Sequence, residues 1–149
     1  MPVRTGEAVW EGGLRRGRGT ARFGDGVFEG RYSFSSRFFD EGKKGTNPEE
    51  LIATAHASCF SMALAGEIEA GGYDVKSVHT IARVHVEAVE TGHRITRIEL
   101  DTEADVPGLD EAAFLEYAMQ AKVGCPVSQA LAAVNDIRLQ ARLARAERV

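Results

Sequence analysis

The spacing of apolar and polar residues changes period several times along the chain, and each change predicts an element. GEAVWEG (6–12), GTARF (19–23) and GVFEGRYSF (26–34) read as strands separated by glycine turns, with Gly24-Asp25-Gly26 as a hairpin signal. A polar loop, DEGKKGT (40–46), follows. The next stretch reads as a helix with a strong start. Asn47 can cap it, Pro48 suits the first helical position, and Glu49 and Glu50 favour the positive end of the dipole. Glu50 stands three residues after Asn47, the capping-box spacing. The helix is predicted over about 48–70, with Gly71-Gly72 ending it.

Two long alternating stretches come next. In VHTIARVHVEA, Val78, Thr80, Ala82, Val84, Val86 and Ala88 form one mostly apolar face. In TRIELDTEADV, Ile98, Leu100, Thr102, Ala104 and Val106 face one way and Arg97, Glu99, Asp101, Glu103 and Asp105 the other. Such alternation implies antiparallel strands with one wet face, and Thr91-Gly92 supplies their turn. Pro107-Gly108 breaks the second strand, and Asp110 can cap a helix over about 111–123. Gly124 stops it. Cys125-Pro126 opens a short helix to about Val134, and DIRLQARL (136–143) reads as a last strand. The ARAERV tail is polar. The order predicts one α+β domain over 1–149, with helices packed on antiparallel sheet.

Composition adds exclusions. A net charge of −4 does not suggest a nucleic-acid binder, and the basic run LRRGRGTAR (14–22) reads as a turn between strands. The most apolar stretch, LIATAHASCFSMALAG (51–66), is short for a membrane span and reads as a core helix. No secretory signal is visible in MPVRTGEAVW, so a cytoplasmic protein is expected. His56, His79, His85 and His93 lack metal-ligand spacing, and there is no CxxC.

The cysteines carry the pointed chemistry. Cys125 stands at a predicted helix N-terminus, where backbone N–H groups and the dipole favour a thiolate. Cys59 is roughly eleven residues into its helix, beyond the reach of that terminus, so a reactive thiolate there needs a cation from elsewhere. His56 is its neighbour three positions away and offers either a base or a histidine satisfied at a helix–sheet boundary. Two free cysteines can also be inert core residues.

AVWEGGLRRGRGT (8–20), SFSSRF (33–38), KGTNPEELIATAHASCFSMAL (44–64), VPGLD (106–110) and KVGCPVSQAL (122–131) together resemble the OsmC/Ohr family, and the OsmC branch in particular. The match covers nearly the whole chain, in order. The resemblance implies an intertwined homodimer with its active sites at the subunit interface, and a thiol peroxidase acting on organic hydroperoxides and less well on hydrogen peroxide. By that resemblance Cys59 attacks the peroxide, Cys125 closes a disulfide on it, and an external dithiol of lipoyl type reduces the bridge. It implies no metal, haem, flavin or selenium, and no nucleic-acid or membrane partner.

The resemblance also carries an arginine and a glutamate. Glu49 matches the glutamate of TNPEEL, and Arg37 matches the arginine of SSRF, with Arg16 and Arg18 as rivals. Arg37 would supply the missing cation and Glu49 would hold it. Glu49 and Cys59 stand ten residues apart on one predicted helix, about 15 Å along its axis, so a glutamate serving this cysteine must come from another copy. Phe38, Phe39, Phe60, Met62 and Met119 are candidates for an apolar pocket or for plain core. Three rival functions stay open: a non-catalytic small-ligand-binding dimer, a thiol redox sensor and a Cys–His hydrolase.

Overall fold

Alternation becomes strand where it was expected. The computed structural model describes residues 2–39 and 44–144, so the loop residues 40–43 and the tail from 145 lie outside the described residues. The chain falls into two compact units, Met1–Leu51 and Ile52–Val149.

In the first unit β1 (Gly6–Glu11), β2 (Arg18–Phe23) and β3 (Phe28–Tyr32) pair in order as an antiparallel sheet. The turn from β2 to β3 needs left-handed backbone at Gly24, Asp25 and Gly26, which explains its glycine-rich composition. Gly19 is the cross-strand partner of both Trp10 and Tyr32. A Cβ there would fall 2.5 Å from the tyrosine ring and 2.9 Å from the tryptophan ring. Only glycine lets these two rings meet at a centroid separation of 5.5 Å.

β3 stops at Tyr32, short of the predicted strand end at residue 34. A short helix, α1 (Phe34–Phe38), replaces the rest. The cause is local: the Ser33 hydroxyl accepts from the Ser36 N–H at 3.1 Å and the Ser36 hydroxyl accepts from the Ser33 N–H at 2.8 Å. This reciprocal cap outweighs the strand pattern. α2 (Pro48–Ala70) begins as predicted, with Asn47 Oδ1 accepting from Glu50 N–H at 2.8 Å. Asn47 Nδ2 also donates to the Ser36 carbonyl at 3.0 Å, so one buried side chain caps α2 and ties it to α1. Asn47→Ala is expected to lower stability by about 1–2 kcal/mol, read as a lower urea midpoint. Asn47→Asp keeps the cap but loses the amide donor, and should lose less.

The second unit holds the rest of α2, then β4 (Ser77–Val89), β5 (Gly92–Asp105), α3 (Glu111–Gly124), α4 (Pro126–Ala130) and β6 (Ile137–Leu143). β4 and β5 form the expected antiparallel pair, with a bulge at His85/Val86. β6 departs from the expected antiparallel pairing: it runs parallel to β5. The two helices between them carry the chain back to the start of the sheet, and such a crossover leaves consecutive strands parallel. α4 is also shorter than predicted, ending at Ala130 and followed by turns.

The inward faces are those the alternation marked. Ile98, Leu100, Thr102 and Ala104 of β5 are buried, and the apolar ones among Leu100, Ala104 and the following Val106 meet Phe114, Ala118 and Ala121 of α3 in the core. From α2 come Phe60, Leu64 and Ile68, which with His56 make a fully buried stripe at intervals of four residues. The reading of a core helix therefore holds for one stripe only, since Met62 between them is 78% exposed. At 23 residues α2 is long and apolar enough to cross a membrane by length and composition, which the shorter stretch 51–66 did not suggest. Its buried stripe is that of a helix packed on a sheet.

Candidate active site

Cys125 occupies the break between α3 and α4. Its N–H still bonds the Ala121 carbonyl at 2.9 Å, closing α3, while its carbonyl accepts from Gln129 N–H at 3.0 Å, opening α4. Pro126 follows at the first helical position, where its missing N–H is no loss. The Cys125 side chain makes no capping hydrogen bond to this turn, but the backbone N–H groups of Val127 and Ser128 favour a thiolate on Cys125, and that of Val127 favours one on Cys59. Both cysteines are free thiols of one core cluster and act on each other's acidity, with Cys125 fully buried and Cys59 half-buried.

The two thiols are electrically unequal. Burial pushes the Cys59 thiol up; the Val127 N–H works against this, but the neighbouring Cys125 sulfur adds to the rise. Burial also pushes Cys125 up, yet four hydrogen bonds outweigh it: Ser128 N–H, the Cys59 thiol, the Ser128 hydroxyl and Val127 N–H. The net result holds Cys125 below the usual thiol range. Within this unit the surroundings favour a thiolate on Cys125 over one on Cys59. The helix-terminus argument from sequence thus holds for Cys125.

His56 is fully buried, and burial holds its imidazole below the usual histidine range. Its Nε2 lies 2.7 Å from the Ser128 hydroxyl, and the ring has no bond to Cys59. The base of a Cys59–His56 hydrolase is therefore not in place, and the structural alternative fits. Ser128 was not among the residues marked from sequence. The available signal was its position three residues after Cys125 across a helix start, which aims a side chain back at the cap.

In the first unit, Arg37 and Glu49 find each other. Arg37 Nε and Nη2 reach Glu49 Oε1 at 3.0 and 2.8 Å, a forked pair in which the glutamate is 7% exposed. The arginine side chain remains 39% exposed and lies over the Phe38 ring. α1 is what presents it, in its last turn. Arg16 lies in the turn before β2 and Arg18 begins β2; neither pairs with Glu49. The apolar candidates divide: Phe60 is core, whereas Phe39, Met62 and Met119 are exposed at the surface of the chain.

Two paired free thiols at a helix start, on a fold of this topology, define a class. The OsmC-like protein family model matches residues 40–140, and the chain belongs to the OsmC family. Peroxiredoxin OsmC of Escherichia coli (strain K12) is 48% identical over 129 residues, covering 86% of this chain and 89% of the relative. Among solved structures, the organic hydroperoxide resistance protein OsmC of Legionella pneumophila superposes with a TM-score of 0.68 at 23% identity, covering 97% of this chain and all of the other. OhrB of Bacillus subtilis, an organic hydroperoxide resistance protein, gives 0.68 at 23% identity over 94% of this chain and 98% of its own. These two share the fold. With the closer relation to a peroxiredoxin, the chain is a cysteine-based peroxidase.

Proposed function

We propose that the protein reduces organic hydroperoxides, and hydrogen peroxide less well, by a two-cysteine cycle. The observation that carries it is that the free Cys59 and Cys125 pack into one core cluster at the start of α4. The Cys59 thiolate attacks the terminal peroxide oxygen, the O–O bond breaks, and the alcohol leaves with a proton. Cys59 is left as a sulfenic acid. Cys125 then attacks that sulfur, water leaves, and a Cys59–Cys125 disulfide forms. An external dithiol returns both thiols by exchange.

The first step needs Cys59 as a thiolate, and its own unit pushes its pKa the other way. Arg37 is the cation we assign to it. Because Glu49 stands ten residues before Cys59 on the continuous helix α2, about 15 Å along the axis, the Arg37–Glu49 pair acts on the cysteine of a second copy. The working form is then a homodimer with two equivalent sites. The exposure of Met62 and Val123, 78% and 72% in the single chain, supports a covered surface. So does an open groove of about 430 Å³ beside α2, lined by the small residues Ala53, Ala57, Ser58 and Ser61.

The test is a peroxidase assay with cumene hydroperoxide, tert-butyl hydroperoxide and hydrogen peroxide, each with monothiol and dithiol reductants. Turnover should be fastest with an organic hydroperoxide and a dithiol. Equal or faster turnover of hydrogen peroxide would remove the organic preference.

A further inference from the structure

The two-cysteine cycle gives no task to His56, although it is the one fully buried histidine among the described residues and shares α2 with Cys59. We propose that His56 and Ser128 are a positioning pair for Cys125: the imidazole fixes the serine hydroxyl so that its hydrogen points at the Cys125 sulfur and keeps that sulfur ready to attack. This rests on the reading of Cys125 as the resolving cysteine.

The direction of the hydrogen bonds follows from the ring's other nitrogen. His56 Nδ1 is buried with no partner. An orphaned buried N–H is rarer than an orphaned acceptor, so the proton belongs on Nε2 and Nδ1 keeps a bare lone pair. Nε2–H then donates to Ser128 Oγ across 2.7 Å. With its oxygen engaged by that donor, the serine keeps its own hydrogen for the Cys125 sulfur, three residues earlier at the start of α4, where a hydroxyl donor favours the thiolate. The chain His56 Nε2–H to Ser128 O–H to Cys125 sulfur has one sense, and it ends on negative charge.

The elements supply what this needs. α2 carries both His56 and Cys59, and α4 carries Ser128. Among the described residues of the single chain, the titratable groups beside Cys125 are the Cys59 thiol and, through Ser128, the imidazole; α3 adds the apolar Phe114, Ala118 and Ala121 to the same core, and in the proposed dimer Arg37 of the second copy adds a cation at Cys59. A neutral donor chain suits the resolving step. Cys125 gives up its proton, its sulfur displaces hydroxide from the Cys59 sulfenic acid, and the hydroxide leaves as water with one proton. The step leaves no new charge on either sulfur.

The test separates positioning from packing. In a Cys59→Ser background, where Cys125 is the only thiol, thiolate absorbance is titrated against pH. Ser128→Ala should raise the midpoint by about one pH unit, the loss of one hydrogen bond to a charged group. His56→Leu should raise it by less, and His56→Gln, which keeps an N–H donor, should recover part of the difference. In chains with both cysteines, disulfide closure after peroxide should slow several-fold at pH 7 in Ser128→Ala and recover as pH rises past the new midpoint. An unmoved midpoint in folded Ser128→Ala overturns the pair, and this small truncation carries the test if His56→Leu does not fold. If peroxide forms no Cys59–Cys125 disulfide in the unaltered protein, the resolving-cysteine reading fails instead, and the titration still decides whether the pair acts on Cys125.

Discussion

Cys59→Ser is expected to abolish hydroperoxide consumption, a loss of at least on the order of 10³-fold, because no other thiol can take its place. Cys125 is the more acidic sulfur in the single chain, so this outcome is not trivial. If acidity alone chose the attacking group, Cys125 would attack first and Cys59→Ser would leave a sulfenic acid on Cys125. The expectation is the reverse. Cys125 is fully buried and Cys59 half-buried, so a peroxide reaches Cys59 more readily. Cys125→Ser should therefore leave a sulfenic acid that dimedone traps on Cys59, detected by mass. A dimedone adduct on Cys125 in the Cys59→Ser protein would reverse the two roles.

Arg37→Ala should lower turnover about 100-fold, by removing the cation that opposes the burial of Cys59 and the donor that would meet peroxide oxygen. Glu49→Gln should act in the same direction but less, because the forked pair at 2.8 and 3.0 Å fixes the guanidinium rather than charging the thiol. The sharper expectation comes from mixing. An Arg37→Ala chain supplies an intact Cys59, and a Cys59→Ser chain supplies an intact Arg37. If the pair acts across two copies, refolding equal amounts together should restore about a quarter of the activity, since half the dimers are mixed and each holds one complete site. If the arginine acts within its own chain, the mixture stays inactive. In Arg37→Ala alone, Cys125 should remain the more acidic thiol and Cys59 should react with peroxide only at higher pH. A Cys59 reactivity profile that does not shift with Arg37 removes the arginine from the mechanism.

The sequence determined most of the elements because their signals are local. Asn47, Pro48 and Glu50 specify the start of α2, and the register of Ile98, Leu100, Thr102 and Ala104 specifies the inner face of β5. It also placed Cys125 at a helix start, since Gly124 and Pro126 bracket it. Two local features were misjudged where one motif overrode another: the Ser33–Ser36 cap turned the end of a strand pattern into α1, and α4 stopped four residues early. Only the tertiary structure decided the rest. The parallel β6 depends on where two helices return the chain, which no residue in DIRLQARL encodes. The joining of Arg37 to Glu49, rather than Arg16 or Arg18, depends on α1 and α2 being tied together through Asn47. The turn of His56 away from Cys59 depends on Ser128, seventy-two residues later, reaching its ring first. Hydrogen-bond partners distant in sequence are chosen by packing, and packing is a property of the whole fold.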